Sequence, residues 1–254
     1  MKTDVCIVGA GPAGLMAAIC AARQGATSTL VEINRTAGRK LLVTGGGRCN
    51  LTHDASIDEL VRAFGPAGRF LRHSLHEMPP ESVRAFFHDR GLPTMVEADG
   101  CVFPAQGRAA DVLRILLREA EHCGVRLLYE NPVAGLVSPD TGFTVIAGRH
   151  NISAHSVVLA TGGLSWPQTG STGDGLRFAH ALGHSIVTPK AALVPLVVRE
   201  SWPAALAGVA VADARIGGEG DLRKLASHGA IVFTQDGIGG PAAQLGRDCI
   251  TAVE

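Results

Sequence analysis

The first thirty residues combine apolar runs and glycines in an order that predicts strand, turn, helix and strand. Residues 3 to 8 form a β-branched and apolar run, typical of a parallel strand that is buried on both faces. A helix is predicted from about Ala13 to Gln24, ending at Gly25. A second strand is predicted to end at Glu32. This order favours an α/β fold built on a parallel sheet.

The turn between the first strand and the helix has the sequence "GAGPAG", with glycines at the GxGxxG spacing. Gly9 permits a tight turn, Gly11 lets the backbone approach a pyrophosphate, and Gly14 lets the helix pack on the strand. Free N–H groups at the start of the helix bind phosphates. Glu32 lies 32 − 14 = 18 residues after Gly14, where an acid accepts hydrogen bonds from ribose hydroxyls. The segment therefore predicts a dinucleotide site, and glutamate rather than arginine favours FAD or NAD over NADP.

A second glycine-rich segment, "GRKLLVTGGGRCNLT", occupies residues 38 to 52. Residues without Cβ allow a flat ring to approach the backbone, and successive amides can form a nest of donors. We expect Arg48 to supply positive charge near a flavin ring and Asn50 to supply donor and acceptor groups. The alternative is a mobile surface loop. Cys49 has no partner cysteine nearby and is interpreted as a packing residue rather than a redox nucleophile.

The rest of the first 190 residues alternates helical and strand patterns. Residues 57 to 90 predict packing helices, and residues 110 to 124 predict an amphipathic helix. Residues 125 to 130 predict the third parallel strand, and 132 to 148 predict two strands joined at a Pro-Asp-Thr-Gly turn. A strand at 156 to 160 then returns to the sheet. We interpret this arrangement as a dinucleotide-binding sheet with a β-meander crossover.

A further glycine-rich turn precedes a helix in "TGSTGDGLRFAHALGH". Leu176, Ala179 and Leu182 predict its apolar stripe, and Gly183 its end. Asp174 is interpreted either as the N-cap of this helix or, because the stretch "TGDG" resembles one in fumarate-reductase-like flavoproteins whose aspartate lies near the cofactor, as a cofactor contact. From about Ala191 the chain changes to short β-rich runs separated by Gly and Pro, which predicts a second domain over residues 191–254 after a first over residues 1–190.

Composition narrows the range of functions. Lys plus Arg and Asp plus Glu are both 23, so the chain has no net charge to attract nucleic acid or an anionic membrane. Six cysteines without CxxC spacing argue against a disulfide framework and a metal site, and favour a reducing, cytoplasmic setting. No apolar stretch approaches the ~20 residues that span a bilayer. We therefore expect a small-molecule substrate, with no nucleic-acid or membrane partner and an oligomeric state that the sequence leaves open.

Four ordered motifs, "GAGPAGLMAA", "GRKLLVTGGGRCNLT", "VVLATGG" and "PQTGSTGDG", closely resemble a bacterial family of flavoproteins. The family comprises NAD(P)/FAD-dependent oxidoreductases of the aminoacetone-oxidase type and includes a bile-acid enoyl reductase. The resemblance implies a glutathione-reductase-type FAD-binding Rossmann domain with a β-meander, followed by the start of a β-rich inserted domain. It also implies that this chain lacks the C-terminal part of its relatives, including the segment that closes over the flavin ring.

The residues assigned to FAD combine the glycine motif and Glu32 with positions implied by the resemblance. In such flavoproteins the strand that holds Val133 contacts adenine, and the segment from Thr161 passes close to FAD. The predicted cofactor-binding residues are Gly9, Ala10, Gly11, Pro12, Ala13, Gly14, Glu32, Arg39, Lys40, Gly46, Gly47, Arg48, Cys49, Asn50, Val133, Thr161, Gly162, Gly163 and Asp174.

The expected function is FAD-dependent oxidoreduction of a small organic molecule by hydride transfer, with NAD(P)H as a candidate transient reductant. The resemblance implies either C=C reduction or amine oxidation and leaves that choice open. Four histidines are candidate acids or bases but are better explained as surface or packing residues, so no catalytic residue is assigned: His53, His73, His76 and His180. The alternatives are an inactive or non-catalytic FAD-binding fragment and, disfavoured by the neutral charge, a flavoprotein that acts on tRNA.

Overall fold

The structure is a computed structural model that describes residues 1–138, 141–189, 195–218, 226–240 and 242–243. The chain divides into two compact units, Met1–Ile186 and Val187–Glu254. The predicted domain boundary at Ala191 lies outside the described residues, as does Pro241, predicted to begin a helix. The assignment of the second unit as an inserted domain therefore stays a prediction.

The first unit is built on a six-stranded sheet with the order β6-β2-β1-β9-β8-β7. β1, β2, β6 and β9 are parallel neighbours, whereas β7, β8 and the first half of β9 form an antiparallel meander. The predicted Rossmann fold with a β-meander is confirmed. The strands of this sheet are β1 Lys2–Val8, β2 Ser28–Val31, β6 Arg126–Leu128, β7 Val133–Val137, β8 Phe143–Ala147 and β9 His150–Leu159.

The strand predicted at residues 156 to 160 proves to be the second half of β9. Its first half pairs with β8, and from Ser153 onward the strand pairs with β1. A single strand thus joins the meander to the parallel part of the sheet. The prediction was too short because the first half of the strand alternates exposed polar and buried positions, with Ile152 and Ala154 as the buried ones.

The helices of the first unit are α1 Pro12–Arg23, α2 Arg39–Val43, α3 Ile57–Ala63, α4 Gly68–Glu77, α5 Pro80–His88, α6 Ala109–His122 and α7 Asp174–Ala181. A small sheet of β3 Thr52–His53, β5 Cys101–Pro104 and β4 Thr94–Val96 is inserted between them. The segment predicted as a glycine loop begins with the five-residue helix α2 and continues as a 3-10 turn over Thr44–Gly47.

Alternation along β1 separates two apolar clusters. Ile7 packs with Leu15 and Ile19 of α1 in the larger cluster, which also holds the two phenylalanines of α5 and the buried residues of α6. Cys6 and Val8 face the opposite side and pack with the meander. Successive side chains of a strand point to opposite faces. β1 is thus buried on both sides, as its continuous apolar sequence predicts.

The second unit contains a four-stranded sheet with the order β10-β13-β12-β11. Its elements are β10 Leu196–Val197, α8 Trp202–Ala205, β11 Ala210–Gly217, β12 Ala226–Thr234 and β13 Gly237–Gly239. The segment around Gly237 forms a hairpin with β12. Gly237 has a φ of 155°, and a Cβ there would lie 1.9 Å from the carbonyl oxygen of Leu196. Close pairing with β10 therefore requires glycine at this position.

An ion-pair network ties three helical segments of the first unit together. Glu119 of α6 accepts hydrogen bonds from Arg23 of α1 and, at 2.8 Å, from Arg90 just beyond α5. Arg90 also stacks on Phe86, with its guanidinium carbon 3.9 Å from the ring centroid. The hydrogen bond from Arg90 is the main cause that lowers the pKa of Glu119 from 4.5 to about 2.

We predict that Glu119→Gln destabilises the fold by about 1–2 kcal/mol at pH 7, since it leaves two arginines without their shared carboxylate and the pair is partly screened by solvent. The folded-state pKa is depressed, so the stabilisation is complete above pH 4.5 and is lost as the pH falls toward about 2. Urea unfolding of both proteins at pH 7 and pH 3 tests this. An equal stability difference at both pH values would contradict it.

Candidate functional site

A cavity of about 640 Å³ lies where three parallel strands of the first unit end. Val8 of β1, Val31 of β2 and Leu159 of β9 all line it at their carboxyl ends. β1 lies inside the sheet, with β2 and then β6 on one side of it and β9 on the other. The order of the strands therefore reverses at β1. Ligands of open α/β sheets bind at such a switch point.

The glycine turn forms the floor of the cavity. Gly9 has a φ of 106°, and a Cβ there would lie 2.4 Å from the carbonyl oxygen of Ala160. A Cβ on Gly14 would lie 1.9 Å from the carbonyl oxygen of Gly9, so α1 can pack against the end of β1 only without a side chain at this position. A Cβ on Gly11 would meet nothing within 4 Å and would enter the cavity. Gly9 and Gly14 serve packing, whereas Gly11 keeps the cavity open.

The carboxylate of Glu32 lies at the end of β2 and is almost fully buried. Its Oε2 accepts a hydrogen bond from the backbone N–H of Ala10 at 2.7 Å, and its Oε1 accepts one from the backbone N–H of Asn34 at 2.9 Å. Three donors of the chain, counting the side chain of Asn34, therefore fix the carboxylate. A carboxylate has about four acceptor positions, so one remains for a ligand hydroxyl.

Basic residues of α2 lie on a third side. Arg39 and Lys40 both line the cavity. Arg39 donates from Nη1 to Oδ1 of Asn34 at 2.7 Å, and Lys40 donates from Nζ to Oγ of Ser165 at 3.4 Å. These contacts leave donors on both cations for a ligand with negative charge.

The segment after β9 and the start of α7 form the remaining side of the cavity. Oγ1 of Thr161 accepts a hydrogen bond from the backbone N–H of Gly175 at 3.0 Å and so joins the two segments. Asp174 is the first residue of α7, and the residue before it, Gly173, occupies the N-cap position. The interpretation of Asp174 as the N-cap was therefore wrong. The hydrogen bond from Arg177 is the main cause that lowers the pKa of Asp174, and a hydrogen bond from Thr172 lowers it further. Asp174 therefore lines the cavity as a carboxylate.

The apolar side of α7 also differs from the prediction. Phe178 is its buried residue, whereas the predicted stripe of Leu176, Ala179 and Leu182 is more exposed. Phe178 lines the cavity together with Leu176 and Ala179. Two residues of the predicted stripe, Leu176 and Ala179, therefore contribute apolar surface to the site.

Of the predicted cofactor residues, eleven line this cavity: Gly9, Gly11, Pro12, Ala13, Glu32, Arg39, Lys40, Val133, Thr161, Gly162 and Asp174. Ala10 and Gly14 are buried behind the floor. The remaining predicted residues, Gly46, Gly47, Arg48, Cys49, Asn50 and Gly163, are not among its lining residues.

Arg48, which follows the triple-glycine turn, packs against the small inserted sheet. Arg48 pairs with Glu97 at 2.5 Å, and its guanidinium carbon lies 4.1 Å from the ring centroid of Phe103. Cys49 lies in the larger apolar cluster, and burial raises the pKa of its thiol. This arrangement is that of a packing cysteine and a surface ion pair, and the predicted contact of this turn with a flavin ring stays a prediction.

Sequence reasoning missed several lining residues, chiefly Asn34, Asn131, Thr169, Gly170 and Ser171. Three of these belong to the quoted motif "PQTGSTGDG", so the motif indicated the segment but not its role. Nothing in the sequence pattern singled out Asn34. The candidate histidines are absent from the lining, and within the described ranges no cluster of His, Cys, Asp or Glu suits a metal ion. None of the described helices is both long enough and apolar enough to cross a bilayer.

Comparison with protein families shows which family the chain belongs to. Residues 3–241 match the HI0933-like protein Rossmann domain. The chain belongs to this FAD-binding family. The predicted resemblance to bacterial FAD-binding flavoproteins is confirmed, and FAD is the cofactor of the family.

Three known proteins are similar to this chain. The chain is 33% identical to a 3-dehydro-bile acid delta(4,6)-reductase of Clostridium scindens and 27% identical to a ribosomal RNA dihydrouridine synthase of Escherichia coli, each over 95% of this chain and 59% of the relative. An open flavocytochrome c3 fumarate reductase matches with a TM-score of 0.60 at 21% identity, over 83% of this chain and 47% of that one. The last likeness concerns the fold alone. The chain spans about three fifths of the length of these curated relatives.

The residues present fit FAD. The cavity volume suits a ligand of this class, and Gly11 leaves an open cradle that a Cβ would fill. The start of α1 offers free N–H groups beside that cradle, and Arg39 and Lys40 add positive charge. Glu32 keeps an acceptor position for the ribose. We expect these groups to hold the pyrophosphate and the adenosine half.

We predict that Gly11→Val weakens FAD binding at least about tenfold, or about 1.4 kcal/mol, because its side chain enters the cavity. The backbone of Gly11, at φ −75°, accepts any residue, so the folded state should remain intact. The measurement is the flavin absorbance retained after the purified chain is mixed with FAD and desalted, beside far-ultraviolet circular dichroism.

Two variants serve as controls. Gly217→Val also adds a side chain in open space, at the end of β11, and should retain FAD like the parent protein. Gly14→Val should destabilise the fold by at least about 1–3 kcal/mol, since its Cβ collides with backbone. Full FAD retention by Gly11→Val would show that the cradle does not hold the cofactor.

Proposed function

We propose that this chain is the FAD-binding part of an oxidoreductase that reduces a C=C bond conjugated with a carbonyl group. The observation that carries the proposal is the open cradle at Gly11, which lies beside two cations and an anchored carboxylate and fits FAD. FAD, when bound, supplies hydride chemistry.

The names of two relatives favour C=C reduction over amine oxidation. A delta(4,6)-reductase of a 3-dehydro-bile acid and a dihydrouridine synthase both saturate a double bond that is conjugated with a carbonyl. In such a reaction a hydride and a proton add across the double bond, and the electrons come from a reductant of the NAD(P)H class. The single GxGxxG motif of this chain argues for transient use of that reductant rather than a second nucleotide site.

The residues of this chain act by binding and orientation. Gly9 and Gly14 fix the turn, and Glu32 with the cations of α2 holds the cofactor in place. The apolar side chains of α7, Leu176 and Phe178, exclude water from one side of the cavity. Asp174 stays ionised beside Arg177 and so does not donate the proton. The proton donor is not assigned, since no described histidine lines the cavity.

Ribosomal RNA is a second candidate substrate. The observation that favours it is the match to the dihydrouridine synthase along 95% of this chain. The zero net charge argues against it, because RNA binding depends largely on cationic surface. The expectation that nucleic acid is not a partner therefore stays a prediction, as does the cytoplasmic location.

Anaerobic turnover tests the proposed reaction. The chain is loaded with FAD and reduced with NADH or NADPH, and a conjugated enone, its saturated analogue or a uridine-containing RNA is then added. We expect the enone to reoxidise the flavin at least about tenfold faster than the saturated ketone does, a barrier difference of about 1.4 kcal/mol. Reoxidation by RNA alone would favour the second candidate, and flavin reduction by a small primary amine without any response to enone would contradict C=C reduction.

A further inference from the structure

The side chain of Asn34 connects three segments that enclose the cavity. Its Nδ2 donates to Oε1 of Glu32 at 2.6 Å and to the carbonyl oxygen of Thr169 at 3.2 Å. Its Oδ1 accepts from Nη1 of Arg39 at 2.7 Å. One amide thus joins the end of β2, the first residue of α2 and the loop before α7.

These contacts require both a donor and an acceptor at the end of a short side chain. An aspartate accepts but does not donate when ionised, and a leucine does neither. The neighbouring backbone is shaped to the amide: Gly170 has a φ of 97°, and a Cβ there would lie 2.6 Å from Nδ2 of Asn34. The side chain is therefore held from several sides.

We infer that Asn34 is a positioning residue that fixes Glu32 for the ribose and Arg39 for the pyrophosphate of FAD. It acts through its two neighbours. The inference rests on the cavity being the FAD site and does not depend on which substrate is reduced. Sequence reasoning assigned roles to Glu32 and Arg39 but left their connection unexplained.

A few charged and titratable groups surround Asn34 and the two residues that it contacts. Glu32 and Arg39 contact Asn34 directly. The half-buried phenol of Tyr129 has its pKa raised by burial and then by the charge of Glu32, so it stays neutral near pH 8. Arg35 pairs with Glu130 at 3.4 Å, and Lys40 contacts Ser165. Asp174 pairs with Arg177 on the α7 side of the cavity.

The variant Asn34→Asp distinguishes a positioning role of residue 34 from a merely structural one. The new carboxyl would lie against Glu32, and two carboxyl groups at this distance share a proton because like charges resist joint ionisation. At low pH the introduced carboxyl, when protonated, can still donate to Glu32. At high pH both groups are ionised, the donor is lost and the two repel each other.

We therefore expect the dissociation constant of FAD for Asn34→Asp to be within about threefold of the parent value at pH 5.5 and at least about tenfold weaker at pH 8. The parent protein should change little over this range. Asn34→Ala removes every contact and should bind FAD weakly at both pH values. Asn151→Asp, an exposed change on β9, should behave like the parent. Flavin fluorescence titration measures all four proteins, and ADP competition checks that the loss concerns the adenosine half.

A pH-independent FAD affinity of Asn34→Asp, equal to that of the parent protein, would overturn the inference. An equal loss at both pH values would assign Asn34 to packing alone and would also overturn it. If Asn34→Asp fails to fold at pH 8 by circular dichroism, the comparison of Asn34→Ala with the parent protein decides: unchanged affinity for FAD and ADP contradicts the inference. A chain that binds FAD as described but reduces no enone would contradict the proposed reaction and leave this inference supported.

Discussion

The cofactor cavity depends on the close packing of α1 against the end of β1. The carbonyl oxygen of Gly9 occupies the place where Gly14 would carry a Cβ, and Gly9 in turn lies against the backbone of Ala160. These two contacts bring β1, α1 and the segment after β9 together without intervening side chains. Because the start of α1 is held at that point, its free N–H groups face the space between the strand ends. A larger residue at Gly14 would move the helix, and one at Gly9 would displace the segment after β9.

A second constraint follows from the burial of Glu32. A buried carboxylate is costly unless it is hydrogen-bonded, and Ala10 and Asn34 provide those bonds. Hydrogen bonds within the protein therefore fix the orientation of the Glu32 carboxylate. Preorganisation of this kind reduces the entropy lost when a ligand binds. The polar end of the cavity is thus connected through hydrogen bonds, whereas Leu176 and Phe178 of α7 add apolar surface to the lining.

The sequence predicted the features that depend on local pattern. The glycines of the first turn, the acid after β2 and the amphipathic helix α6 follow from spacing and periodicity alone, and the structure has each of them. It did not predict features that depend on distant partners. The ion pair of Arg48 was not predicted, because its partner Glu97 lies 49 residues further along the chain, just after a strand of a separate small sheet. Asn34 was missed because its role arises only when Thr169 and Arg39 meet it in space.

Hydrogen exchange of the whole chain with and without FAD tests most directly whether this cavity is the cofactor site. The structure predicts that FAD protects the backbone amides of residues 9–15, 32–40 and 160–176, which carry the lining groups. Residues 44–50 should be protected less, because none of them is among the residues that line the cavity. Protection confined to residues 44–50, with none at the first glycine turn, would contradict the account.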